Sequence, residues 1–332
     1  MGVEPGVKGR DVRLAGQASE ATRASGKVMK AVRIHERGGA DALIVEQAPY
    51  PHLAENDVMV RVHAAAFTHT ELHWPRTWTD RAGRDRTPTI PGHEVSGEVA
   101  ELGPGATGLT VGQRVFGLTD WARDGTLAEF VAVEARNLAP LPASIDHVPA
   151  AALSLAGLTA WQALFDHARL EPGQTLLVHG AGGAVGVLAV QLARNAGARI
   201  IGTGRERDRA KVLEAGAELF ADLETERFED VAGQVDVVVD LIGGEILDRS
   251  AAVLVPGGTI VGVAAPPKIH PADGRAIYFV VEPNRGQLAD LARLVQHGRV
   301  TPPVGAVRPL AETRSAFLNK QGIPGKIVIQ VS

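Results

Sequence analysis

Between Met29 and about Ala139 the chain alternates apolar and polar residues in short runs. MKAVRI, DVMVRVHAAAF, SGEVAEL, QRVFGL and AEFVAV follow this pattern, with Gly/Pro punctuation such as GPGATG between them. Successive strand side chains point to opposite faces, so the pattern predicts a barrel or sandwich of many short strands. After LAPLPASI the texture changes. HVPAAALSLAGLTAWQALFDHARL has helical spacing. It is followed by a short apolar strand TLLVHG, a helix AVGVLAVQLARNAG, a strand ARIIGT and a helix RDRAKVLEAG. VDVVVDLIG and GGTIVGVA are further buried strands, GQLADLARLVQHG is a last helix, and GKIVIQV is a closing strand. Continuous apolar strands alternating with helices predict a parallel sheet covered on both faces, an α/β arrangement. No internal repeat is visible.

Composition narrows this picture. A chain of 332 residues, 45% hydrophobic and 22% charged, suits two well-filled domains. A net charge of −4 argues against a nucleic-acid partner, which would call for a concentrated basic surface. No apolar run reaches the roughly 18 residues that span a bilayer, so no membrane segment is expected. There is no cysteine, which excludes disulfides, thiolate catalysis and Cys-ligated metal, and a cytoplasmic location is expected. Residues 1–27 carry five Lys/Arg, three acids and almost no large apolar residue, and a disordered extension is expected there.

The motif with the most chemical content is VHGAGGAVGVLAVQLA, a glycine-rich turn between a strand and a helix. Read at the spacing of a dinucleotide fingerprint, it falls on Ala181, Gly183 and Gly186, with alanine in the first glycine's place. Small residues let the backbone approach a pyrophosphate and the helix pack on the sheet, and the helix N-terminus offers unpaired N–H groups. Residues Gly180, Ala181, Gly182, Gly183, Ala184, Val185 and Gly186 are the expected phosphate cradle. Where an NAD site would place an acid at the end of the next strand, this chain has Gly204, followed by Arg205, Arg207 and Arg209. Loss of the acid removes repulsion of a 2′-phosphate and an arginine can pair with it. NADPH is therefore the expected cofactor, with Arg205 as phosphate contact and Thr203 as hydroxyl donor.

MKAVRIHERGG, PGHEVSGEVAELGPGATGLTVGQRVFG, AGLTAWQAL, PGQTLLVHGAGGAVGVLAVQLARNAGA, VVVDLIGG and GKIVI occur in order from Met29 to the C-terminus. Together they resemble the medium-chain dehydrogenase/reductase superfamily, in its zinc-free quinone oxidoreductase-like branch. The resemblance implies a GroES-like β-barrel catalytic domain and a Rossmann doubly wound parallel sheet, with the active site between them. It divides the chain into a first catalytic part at 28–147, a Rossmann NADPH-binding domain at 148–280, and a C-terminal return to the catalytic domain at 281–332. It implies cofactor contacts at Thr159, at the loops holding Leu241, Gly243, Val263 and Ala264, and at Phe279 and Lys326, the last near the pyrophosphate. Phe279 as core and Lys326 as a solvated strand end are the plain alternatives. It also implies a homodimer, with the GGTIVGVA strand as the place to look.

The departures from the family pattern bear on function. Zinc-dependent members carry Cys-x-x-Asp where this chain has Thr68 and Glu71, a second ligand that matches His93 in PGHE, and a third, usually Cys, near Leu155. A catalytic zinc needs three protein ligands, and one survives. Metal is not expected. Thr68, His69, Glu71 and His93 are instead the candidate catalytic residues, as hydrogen-bond or proton donors. Without a Lewis acid, reduction of a quinone or an α,β-unsaturated carbonyl is the favoured reaction. The alternatives are a biosynthetic enoyl or ketone reductase for a bulky or acidic precursor, prompted by the Trp- and Arg-rich insert HWPRTWTDRAGRDRTPT, and an NADPH-binding sensor without turnover.

Overall fold

The alternating region folds into the first seven of the fifteen strands among the described residues. A hairpin of β1 (Val28–Ile34) and β2 (Leu43–Pro49) packs on a sheet built from β3 (Asp57–Ala66), β4 (Glu94–Leu102), β5 (Arg114–Leu118), β6 (Phe130–Glu134) and β7 (Leu138–Pro140). The structure, a computed structural model, describes residues 26–320 and 322–332, so all but the last two residues of the expected N-terminal extension lie outside the described residues. The short helix α1 (Pro75–Trp78) sits in the insert between β3 and β4.

A long helix, α2 (His147–Trp161), leads out of the barrel and continues as a π-helical segment to His167. The order then becomes β8 (Thr175–His179), α3 (Ala184–Asn195), β9 (Arg199–Gly204), α4 (Arg209–Ala215), β10 (Leu219–Asp222), α5 (Phe228–Ala232), β11 (Val235–Asp240), α6 (Gly244–Arg249), β12 (Leu254–Gly262) and β13 (Arg275–Tyr278). These strands form one parallel sheet in the order β10-β9-β8-β11-β12-β13, the doubly wound arrangement. Leu176, Val178, Val237 and Val239 point to the face covered by α2, α3 and α7 (Arg285–Gln296), while Leu177, Val238 and Ile260 point to the other. Period two explains why both faces are apolar. After α7 the chain rejoins the barrel sheet through β14 (Val304–Pro309), the short α8 (Thr313–Leu318) and β15 (Lys326–Gln330), in the order β14-β15-β3-β4-β5-β7 with β6 also paired to β3.

Two expectations need correction. The stretch His147–His167, 21 residues, is long and apolar enough to cross a membrane, because Asp166 near its end is the one acid in a run rich in Ala and Leu. In the fold 78% of its apolar window is buried, and it is the core helix between barrel and parallel sheet. The GGTIVGVA strand, expected at a sheet edge, is β12, and it is paired on both sides by β11 and β13. The edge belongs to β13, whose sequence carries no strong strand pattern.

Candidate active site

The chemistry-bearing loop begins where β3 leaves its sheet at Ala66. Phe67 stacks on Phe317 with ring centroids 3.7 Å apart, and the chain turns through a 3-10 helix at Glu71–His73 into α1. Trp78 closes the loop from below, buried and donating its indole N–H to the Leu72 carbonyl at 3.0 Å. Glu71 clasps this loop to the Pro-Gly-His-Glu turn. Its Oε1 accepts from the Gly92 N–H at 2.7 Å and its Oε2 from the Thr68 N–H at 3.1 Å. Burial pushes the Glu71 carboxyl up to about 8, against the pull of the two N–H donors. Glu71 was a candidate proton donor, and here the geometry corrects the reading. Both oxygens are occupied inside the protein, so it holds the loop in place. Gly92 has φ of 89°, and a Cβ there would meet Thr126 Oγ1 at 2.7 Å and Leu127 at 2.9 Å, which explains the glycine of the motif.

His93 follows, with its side chain buried. Its Nδ1 lies 3.2 Å from Thr119 Oγ1, and burial drives its pKa down to about 3, so the imidazole is neutral. Trp121 meets it edge-on at 4.7 Å between centroids, and Trp74 lies near-parallel at 6.3 Å. Trp74 and Trp121 are themselves edge-to-face at 5.6 Å. These rings form an aromatic wall around the histidine. His69 lies on the exposed side of the loop, its pKa lowered by partial burial and by Lys320 and Lys326. The four arginines of the insert are already engaged: Arg76 with the Asp80 carbonyl, Arg81 with Asp120, Arg84 with Asp80 and Arg86 with Asp124.

Thr68 is half-buried, and its hydroxyl lies 3.2 Å from Lys326 Nζ. Lys326 is in turn ion-paired to the buried Glu94. Burial pushes the Glu94 carboxyl up, while the Lys326 ammonium and the Leu155 N–H, at 3.1 Å from Oε2, pull it back. Lys326, which the resemblance placed near a pyrophosphate, has its ammonium turned into the barrel wall. Of the three zinc-ligand positions, Thr68 joins this network through its hydroxyl and Leu155 through its backbone N–H, while the neutral His93 faces Thr119 and the tryptophan rings. Among the described residues, no group of three or more His, Asp or Glu could hold a metal ion.

Across α2 lies the glycine loop. Gly183 caps α3 without a side-chain bond, leaving the first N–H groups of a 12-residue helix open. A Cβ on Gly186 would lie 2.3 Å from the Gly180 carbonyl, so strand turn and helix pack as closely as backbone allows. Ala181 is fully buried, Gly183 is exposed, and Ala184 and Val185 are half-buried. This cradle of small residues at the carboxyl end of β8 fits a dinucleotide. Asp240 shapes the neighbouring loop: its Oδ1 accepts from the N–H groups of Ile242 at 3.2 Å and Gly243 at 2.6 Å, beside Leu241. Val263 N–H bonds the Asp240 carbonyl at 2.9 Å, which brings the Val263–Ala264 loop alongside. Thr159, on α2, is buried and donates to the Leu155 carbonyl at 2.7 Å. Phe279 packs on the His167 ring at 4.3 Å, at the far end of the long helical stretch.

At the end of β9, Gly204 is half-buried and Arg205 is exposed and paired with Glu224 at 3.4 Å. Thr203 requires correction as a phosphate donor. Its side chain is buried with Oγ1 at 2.9 Å from His179 Nδ1. Ser250 Oγ donates to the Ile246 carbonyl, so it takes the proton of His179 Nε2, and Nδ1 is left to accept the Thr203 proton. No sequence pattern points to this buried histidine network. Glu94, Trp121 and Lys211 were also missed. Lys211 donates to the Gly182 carbonyl and pairs with Asp208 at 3.4 Å, closing over the glycine loop.

Residues 54–143 match the family model for the alcohol dehydrogenase GroES-like domain, and residues 215–329 that for zinc-binding dehydrogenases. The chain is 30% identical to the quinone oxidoreductase of Rattus norvegicus, over 91% of this chain and 98% of that one. It is 31% identical to the NADPH-dependent alkenal/one oxidoreductase, chloroplastic, of Arabidopsis thaliana, over 91% and 80%. The solved quinone oxidoreductase of Coxiella burnetii superimposes with a TM-score of 0.83 at 29% identity, covering 92% of this chain and all 100% of that one. With its GroES-like barrel, doubly wound parallel sheet and these relatives, the chain belongs to the medium-chain dehydrogenase/reductase superfamily, in the quinone reductase-like branch.

Proposed function

We propose that this protein is an oxidoreductase that transfers hydride from NADPH to a quinone or an α,β-unsaturated carbonyl without zinc. The observation that carries this reading is the replacement of two of three zinc-ligand positions by Thr68 and Leu155, while the glycine cradle stays intact. Bound in that cradle, NADPH supplies the hydride. The chain's own residues hold the phosphates at the α3 N-terminus and exclude water with Trp74 and Trp121. The half-buried Thr68 hydroxyl offers a donor to the acceptor's oxygen as negative charge develops there. His93, neutral and walled by aromatic rings, suits a planar apolar acceptor more than a charged one.

The relatives named for quinones and for alkenals/ones support the substrate class, and the Arabidopsis relative's name supports NADPH. Preference for NADPH over NADH also rests on the non-acidic Gly204 and on Arg205. An exposed ion pair such as Arg205–Glu224 is worth little, so the guanidinium is free to meet a 2′-phosphate. A homodimer would pair through β13, where Tyr278 and, just beyond the strand, Val280 are exposed. The test is to follow NADPH absorbance with purified protein and a panel of quinones and enones. Consumption with either class is expected. No consumption with any member, in protein that binds NADPH, would leave the sensor reading in its place.

A further inference from the structure

We propose that Lys326, clamped by Glu94, is a positioning residue for reduction: it turns the Thr68 hydroxyl into a donor that faces out of the barrel wall toward the acceptor's oxygen. This rests on the hydride-transfer reading above.

The placement follows from sheet order. Strand β3 lies between β15 and β4, with Ala66 opposite Val328 on one side and Glu94 on the other. Lys326, first residue of β15, and Glu94, first residue of β4, therefore flank the point where β3 leaves the sheet and becomes Phe67 and Thr68. A lysine ammonium has three protons and no lone pair. Three acceptors surround this one: a Glu94 carboxylate oxygen, Thr68 Oγ1 at 3.2 Å and the Phe67 carbonyl at 3.4 Å. Because the ammonium only donates, Thr68 Oγ1 must accept, and the hydroxyl's own proton must point elsewhere. Among the described residues no acceptor takes that proton, and the side chain is half-exposed.

Without Lys326 the same hydroxyl would be free to rotate and give its proton to the Phe67 carbonyl or to Glu94. An ammonium on the oxygen also polarises the O–H bond, which strengthens it as a donor to a developing oxyanion. Glu94 completes the device. Its second oxygen accepts from the Leu155 N–H on α2, so the clamp is registered to the helix that carries Thr159. Lys326 itself touches neither the acceptor nor the hydride.

The experiment is a double-mutant cycle on the full chain, with saturating NADPH and cyclohex-2-enone or 1,4-benzoquinone as acceptor. Lys326→Met alone would strand a buried carboxylate, so it is combined with Glu94→Gln, and Lys326→Arg serves as the conservative variant. Thr68→Val is expected to lower kcat about 100-fold, the scale of one oxyanion donor. K326M/E94Q is expected to lower kcat at least 30-fold with KM and the NADPH Kd within 2-fold of the parent. Adding T68V to it should then cost less than 3-fold more, and Lys326→Arg should keep most of the rate. Losses that multiply independently would overturn the proposal. So would a weakened NADPH Kd that accounts for the whole effect, since Lys326 would then be a cofactor contact. Failure of the parent protein to reduce either acceptor sinks the hydride-transfer reading itself, a result distinct from either of these.

Discussion

The glycine loop and the barrel wall are built by opposite means. The glycine loop, Gly180 to Gly186, is seven consecutive residues whose function lies in the side chains they lack. The barrel wall is made of Thr68, Glu71, Glu94 and Lys326, brought together from three strand ends, with Glu94 and Lys326 separated by 232 positions. The first wall binds with backbone N–H groups and a helix terminus, so any sequence with the right small residues can form it. The second relies on buried charges that are stable only when fully partnered. Damage to the glycine loop should therefore appear as lost cofactor affinity. Damage to the barrel wall should appear in stability, pH dependence and the chemical step.

The largest effect is expected at Glu71. Its folded pKa, about 8, stands above the unfolded value of 4.5, so the folded state binds the extra proton between them. That contribution to stability is fully present below pH 4.5 and is lost as pH rises through 8, a change on the order of 3–5 kcal/mol. Glu71→Gln cannot ionise. Its denaturant-measured stability should be lower than the parent's at pH 5, where it loses one N–H acceptor, and should converge on or overtake it by pH 8.5. Parallel pH curves for the two proteins would show that Glu71 is ionised in the fold and that its clasp is an ordinary carboxylate one.

Next comes Gly186→Ala. A Cβ at 2.3 Å from the Gly180 carbonyl must displace backbone, at a cost of about 1–3 kcal/mol, so the NADPH Kd from fluorescence titration should rise about 10- to 100-fold. Acceptor KM should hold. An unchanged Kd would mean that the loop is not the phosphate cradle.

The smallest effect belongs to Arg205→Ala. Removing one exposed guanidinium should weaken NADPH about 5- to 10-fold and leave NADH within 2-fold, the difference being one charge-assisted contact. Equal losses for both nucleotides would shift the selecting role to Lys211, beside Gly182.

The same contrast explains what could be read before any coordinates. Strands β3, β4, β5, β8, β9, β11 and β15 and helices α2, α3 and α7 follow from apolar periodicity, because each buries a regular face. Strands β10 and β13 are among those that do not: each is four residues long and lies at one edge of the parallel sheet, and neither has a repeating apolar face. The glycine loop was legible because its meaning is local. Thr68 and Leu155 are identifiable as replaced zinc positions and His93 as the retained one, but the roles of their partners are not. That Glu71 faces inward, that Thr203 gives its proton to His179, and that Lys326 turns to Glu94 depend on which distant atoms lie within about 3 Å. Periodicity and motif spacing carry no such information. The PGHE turn shows both sides, its Gly92 set by a local backbone demand and its Glu94 by a partner at the other end of the chain.

The most direct measurement of the central claim is NADPH oxidation by a quinone after exhaustive dialysis against a strong chelator, with residual zinc quantified in the same sample. The expected result is full turnover at sub-stoichiometric metal, one quinone reduced per NADPH, and no increase when zinc is returned. Activity that vanishes on chelation and returns with zinc would contradict the account, since Thr68, His93 and Leu155 would then have to be replaced by a ligand set the fold has not revealed.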